Sequence, residues 1–216
     1  MGKKVLVFLL LFLVTACASD PLAQINFSTR ESFRAKELVA NGTVRTIGLL
    51  TAMEGKDGNG SEYRRLLADF IEESIRSDRP DFTITPYWEG LNTINSRGLA
   101  PDYASMFTQY ASTGILDSAA LKKLGDAMKV DYVIQPRLVN FQQKQSNRFS
   151  ALGLTLFKTH ESEIKIYIEM WDVKTGRLVW IGLSEANLDS EKFRARPISF
   201  ESVAKVAVYN LIKKIP

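Results

Sequence analysis

The stretch Glu163–Ser184, EIKIYIEMWDVKTGRLVWIGLS, decides the fold. Ile164, Ile166, Ile168 and Met170 alternate with Lys165, Tyr167, Glu169 and Trp171, a period of two that sends successive side chains to opposite faces of a strand. Lys174-Thr175-Gly176 then supplies turn residues and a glycine suited to the left-handed position of a three-residue hairpin with a G1 bulge. With Val173 set against Arg177, the register pairs Met170 with Trp180 and Ile168 with Gly182 on one face, and Trp171 with Val179 and Glu169 with Ile181 on the other. Both faces near the turn are then apolar, so the sheet is expected to be covered on both sides or to keep one side for a partner. Asp172 and Gly176 are the structural residues of the turn; Tyr167, Trp171 and Ile181 are the candidate binding residues.

Outward from this hairpin the pattern alternates strands with helices. Ser199–Ile215 reads as an amphipathic helix that closes the chain, with Val203, Val206, Ala207, Leu211 and Ile215 on its buried stripe. Tyr132–Phe141 is a strong strand interrupted by Pro136, which predicts a bend or an edge there because proline cannot donate to a ladder. FQQKQSNR after it is polar and reads as a loop, Phe149–Phe157 as a short strand, and KTHE as a turn. Asp117 is placed to cap a helix over Ser118–Met128, and Asp102–Ala111 reads as another short helix. Ser61 opens a helix with Leu66, Leu67, Phe70, Ile71 and Ile75 inward, followed by a strand at Phe82–Pro86 and a long connection carrying Tyr87 and Trp88. Thr43–Ala52 is the first strand. The glycine-rich loop Glu54–Gly60 after it lacks the spacing of a phosphate-binding turn and reads as a plain connection. The expected class is α/β: a mixed β-sheet with helices packed on it, ending in a β-hairpin and an amphipathic helix.

Residues 1–16 combine Lys3 and Lys4 with an apolar run from Val5 to Val14 and small residues, the three parts of a secretory signal. Ten apolar residues are too few to span a bilayer core, which takes about 20 in a helix. Val14-Thr15-Ala16-Cys17 resembles the bacterial lipobox, in which diacylglycerol is attached through the cysteine sulfur and the peptide bond before it is cut. That resemblance implies lipidation at Cys17, a membrane anchor and, from Ala18 after it, the outer membrane facing the periplasm. Residues 17–41 then read as the lipidated terminus and a tether with a short helix at Ser32–Val39, and 42–216 as a single periplasm-facing domain.

Composition narrows the activity. Without Lys3 and Lys4 the chain carries 26 basic against 24 acidic residues, too even a balance to grip nucleic acid. One cysteine and one histidine, His160, exclude intrachain disulfides and Cys-rich zinc sites. No Gly-x-Ser-x-Gly elbow is present, and the acid pairs Glu72/Glu73 and Glu161/Glu163 read as solvated rather than as an acid/base couple. No catalytic residue, metal site or cofactor beyond the lipid on Cys17 is expected.

The order of elements, with LDSAALKKLGDAMKVDYVIQPRL and EMWDVKTGRLVWIG, resembles a family of envelope proteins. It includes the curli secretion channel lipoprotein, the lipoprotein activators of penicillin-binding proteins and the amino-terminal domain of TolB. The resemblance implies a mixed α/β domain that works through protein contacts and carries no catalytic residues. The function expected is therefore an accessory or scaffold lipoprotein that binds another envelope protein, with homo-oligomerisation left open. The alternatives are a subunit of a curli-type outer-membrane channel or, third, an envelope hydrolase.

Overall fold

The computed structural model describes residues 24–36, 38, 44–54, 61–151, 154–192 and 199–216. Cys17, the signal segment and most of the Glu54–Gly60 loop lie outside them. The strands are β1 (Gln24–Arg34), β2 (Arg45–Leu49), β3 (Met53–Glu54), β4 (Phe82–Thr85), β5 (Tyr132–Ala151), β6 (Leu154–Asp172) and β7 (Leu178–Lys192). The helices are α1 (Ser61–Asp78), α2 (Tyr87–Ser96), α3 (Ala100–Thr113), α4 (Ser118–Met128) and α5 (Phe200–Ile212). One mixed sheet of seven strands runs in the order β1-β7-β6-β5-β2-β4, with β3 also on β5. Parallel β2, β4 and β5 meet antiparallel β5, β6, β7 and β1 at the shared strand β5.

Alternation along β6 builds two cores. Ile164, Ile166, Ile168 and Met170, all fully buried, meet Leu67, Ile71 and Ile75 of α1 and Val203, Ala207 and Leu211 of α5 on one face. Tyr63, Phe141 and Phe200 cluster at the margin of this core, with Tyr63 stacked on Phe200 at 4.0 Å. On the other face Val133, Trp171 and Val173 are sealed by Ile94 of α2, Met106 and Tyr110 of α3, and Leu121 and Leu124 of α4. The two-sided cover expected from the hairpin is thus present near its turn. The caps are those the sequence offers: Asp117 accepts from the Ala120 N–H and Ser199 from the Ser202 N–H.

The end of the first core is closed by charge. The Arg45 and Arg79 guanidiniums both stack on the Phe82 ring, 4.4 and 4.5 Å from its centroid. Arg79 also donates to the Ile212, Ile215 and Pro216 main-chain oxygens and to Asp81, whose carboxyl it holds below the usual carboxylate range.

The structure corrects the sequence reading at five places. Residues read as a tether, with a helix at Ser32–Val39, include β1, which pairs with β7 from Gln24↔Asp189 to Arg34↔Trp180. Its alternation is visible only beside β7, where Phe27 joins the first core and Thr29 meets the Ser184 hydroxyl at 3.0 Å. The polar FQQKQSNR segment and KTHE are not loop and turn but continuous strand: β5 and β6 stay paired from Tyr132↔Asp172 to Ala151↔Leu154. Polarity misled here because these rows lie beyond the helices and have no core to face. By the same pairing, Phe149–Phe157 is the meeting end of two strands rather than one short strand. The connection at Tyr87–Ser96 is a helix.

The fifth correction is one of register. Met170↔Trp180, Ile168↔Gly182 and Glu169↔Ile181 pair as expected, but Trp171 lies opposite Leu178, not Val179. The cause is in the turn, where the Asp172 N–H donates to the Arg177 oxygen and Gly176 N–H to the Asp172 oxygen. The Asp172 carboxylate also accepts from the Lys174 and Thr175 N–H groups at 2.9 and 2.8 Å. The shift between Met170 and Trp171 is absorbed as a bulge. Gly176 has φ of 68°, and a Cβ there would lie 2.5 Å from the Ser118 Cβ. Gly176→Val should lower stability by about 1 kcal/mol or more, read as a lower urea midpoint at constant slope; an unchanged midpoint would contradict the strain.

Pro136 sits inside β5, flanked by strands on both sides, yet costs no ladder bond. The Ile134 oxygen accepts from Leu50 N–H toward β2, and groups two residues apart point the same way, so the proline nitrogen faces the interval between β2 and β3. There the chain has left the ladder, and the buried Gln135 side chain bonds the Thr51 oxygen at 3.0 Å instead.

Candidate functional site

The second face of the antiparallel strands is only partly roofed. Its rows run Val133/Trp171/Leu178 at the turn end, then Gln135/Glu169/Ile181/Phe33, then Arg137/Tyr167/Leu183/Arg30, and outward to Asn140/Lys165/Glu185/Ser28. Helices α3 and α4 cover the first of these. Glu169 marks the limit of the roof: its Oε2 accepts from the Tyr110 hydroxyl of α3 at 2.9 Å and from the Trp171 indole N–H at 3.1 Å. Burial, together with the adjoining Glu169 carboxylate, raises Tyr110 well above the usual phenol range, so the hydroxyl stays a donor.

Beyond Glu169 the face opens. Tyr167 and Ile181 are half-buried, and Phe33 on β1 is 43% exposed beside Ile181. The Arg137 guanidinium lies 5.0 Å from the Tyr167 ring centroid. Lys165 and Glu185 pair across strands at 2.6 Å, and that contact lowers the Glu185 carboxyl. Farther out, Asn26, Gln142, Lys144, Glu161, Ser162, Glu163 and Asn187 line a polar trough of about 360 Å³. An apolar strip edged by arginine and bordered by a polar trough can take a protein segment; it offers no nucleophile with a base beside it.

Of the three candidate binding residues, the structure brings Tyr167 and Ile181 onto this face and withdraws Trp171. Trp171 is 5% exposed, inside the second core, because α3 and α4 lie over its end of the strand. Phe33 was missed, since β1 was read as tether; the only signal was a phenylalanine among polar residues. Glu161 and Glu163 do share a face, as alternate residues of β6 must, but they line an open trough. Trp88 is 64% exposed on α2, whereas Tyr87 is held through its hydroxyl to Thr51 at 2.9 Å. Among the described residues no group of three His, Cys, Asp or Glu could hold a metal, and no helix is long and apolar enough to cross a membrane.

No family model and no curated protein matches the chain. Solved structures do. PelC from Paraburkholderia phytofirmans, solved as a dodecamer, matches at a TM-score of 0.48 with 11% identity, covering 87% of this chain and 95% of that one. Lipoprotein GNA1162 from Neisseria meningitidis matches at 0.43 with 12% identity, covering 70% and 87%. A lipoprotein is thus among its structural neighbours. The carboxy-terminal domain of LpoB from Escherichia coli matches at 0.40 with 10% identity, over 69% and 87% of the two chains. LpoB is of the penicillin-binding-protein activator kind that the sequence resembles.

Proposed function

We propose that this chain is a cell-envelope lipoprotein, held through diacylglycerol on Cys17, whose domain acts as a non-enzymatic accessory or scaffold by docking on another envelope protein. The observation that carries the reading is the unroofed strip of Phe33, Ile181 and Tyr167 on a sheet whose other apolar rows are all covered by the chain's own helices. The acids near it have structural tasks: Glu169 is held by Tyr110 and Trp171, and Glu72 accepts from the Tyr87 N–H. Ala18 after Cys17 favours the outer membrane facing the periplasm.

A channel subunit would need strands that turn one apolar face to lipid over about 9–11 residues. β5 and β6 are long enough at 20 and 19 residues, but Gln142–Asn147 is polar at every position, so neither face of that stretch suits lipid. The accessory reading is preferred on that ground.

Two experiments test it. Radiolabelled palmitate should enter the wild type but not Cys17→Ala, and only the wild type should stay with the membrane fraction; equal retention of both would refute the anchor. Tyr167→Lys and Ile181→Lys should fold with near-wild-type midpoints, since both side chains are half-exposed. Each should cut capture of the crosslinked envelope partner by tenfold or more, because a charge would enter a desolvated patch. Unchanged crosslinking in both would place the docking surface elsewhere, and saturable turnover of a cell-wall or lipid substrate by the pure chain would refute the non-enzymatic reading.

A further inference from the structure

The far end of the β5–β6 hairpin has a composition unlike the polar strands that carry it. Phe149–Phe157 reads FSALGLTLF, six of nine residues apolar, while residues 144–158 contain Lys144, Arg148 and Lys158 and no acid. This end overhangs the sheet: the described pairing of β6 with β7 stops at Lys158↔Lys192, whereas β5 and β6 continue paired to Ala151↔Leu154. Neither core includes any of its residues.

The topology also fixes where the amino terminus enters. β1 starts at Gln24, in the row Gln24↔Asp189↔Glu161↔Lys144, so the chain arrives at the same end of the sheet as the overhang. Cys17 is seven residues before Gln24, a reach of at most about 25 Å when extended. Ala151 is likewise seven residues past Lys144, about 23 Å at a strand's rise. The two lengths match. A lipid on Cys17 can therefore lie at the level of the hairpin end while β1 stays in its register.

We propose that the hairpin end, Phe149–Phe157, enters the surface of the membrane that holds the Cys17 lipid, giving the domain a second contact and a set orientation. The lipid position rests on the anchor reading given above. The apolar segment allows about four residues per strand, roughly 13 Å, which reaches the upper acyl region and falls well short of a core about 30 Å thick. The insertion is interfacial, then, not a crossing. The three cations without acids suit anionic headgroups, and one weak hydrophobic contact added to a lipid is the pairing that makes anchoring stable.

The chain has one native thiol, so probes can be placed singly. In full-length Cys17→Ser protein, an environment-sensitive fluorophore on Leu154→Cys should shift to the blue on vesicles of phosphatidylethanolamine and phosphatidylglycerol and be quenched by brominated acyl chains. The same probe on Lys174→Cys, at the opposite end of β6, should respond several-fold less. Leu154→Asp with Leu156→Asp should reduce vesicle sedimentation of the Cys17→Ser chain about tenfold or more while leaving its urea midpoint unchanged, since both sites lie outside the cores. Equal responses at both probe sites with unaltered sedimentation overturn the proposal, whatever palmitate labelling shows. A blue shift that follows protein concentration without vesicles overturns it in favour of a second copy of the chain. Insertion of the Leu154 probe in a chain that takes up no palmitate would sustain the hairpin contact and refute the anchor instead.

Discussion

Gly182→Val should lower stability by about 3 kcal/mol or leave the chain unfolded. Gly182 lies in β7 opposite Ile168, on the face that packs against α5. A Cβ there would lie 2.3 Å from Trp180 Cη2 and 2.6 Å from Leu211 Cδ1. Neither neighbour can step aside. Trp180 is fully buried with its indole N–H donating to Glu31 Oε2 at 3.0 Å, and Leu211 is fully buried in α5. The check is a double-mutant cycle in urea. Trp180→Ala alone should cost about 3–5 kcal/mol, and adding Gly182→Val to it should cost clearly less than Gly182→Val does alone, because the valine then fills vacated space. Strict additivity would show that the clash is not the cause.

Glu169→Ala is expected to cost about 2–4 kcal/mol. It leaves two buried donors, the Tyr110 hydroxyl and the Trp171 indole N–H, without their shared acceptor, at about 1–3 kcal/mol each. Glu169→Gln keeps an acceptor oxygen and should cost about half as much or less. Equal losses in the two variants would mean that the carboxylate's charge, not its hydrogen bonds, matters. The same cluster sets an alkaline limit. Burial raises Tyr103 to about 12, and Tyr110 is raised further by burial and Glu169, so both stay protonated where an unfolded tyrosine, near 10, ionises. Their contribution is therefore complete below about pH 10 and is lost as pH rises above it. Tyr110→Phe should flatten the fall of the urea midpoint between about pH 10 and 11.

Local pattern determined much of this protein. The period of two in Ile164–Met170, the 3.6-residue stripes of α1 and α5, the Asp117 and Ser199 caps and the Lys174–Gly176 turn are each set by neighbours within a few residues, so they are legible without a fold. Asp172 and Gly176 were readable for the same reason: a turn's hydrogen bonds close within the turn. Whether a face is roofed is not a local property. Trp171 and Tyr167 lie on the same face of one strand, yet α3 reaches the first and stops at Glu169 before the second. Only tertiary packing separates core from candidate interface there. β1 and the outer halves of β5 and β6 escaped notice because their hydrogen bonds go to distant segments and their side chains are polar. A strand without a core beneath it carries no alternation to read. The level of the Gln24 row relative to the hairpin end, on which membrane orientation depends, is likewise a consequence of register between residues more than a hundred positions apart.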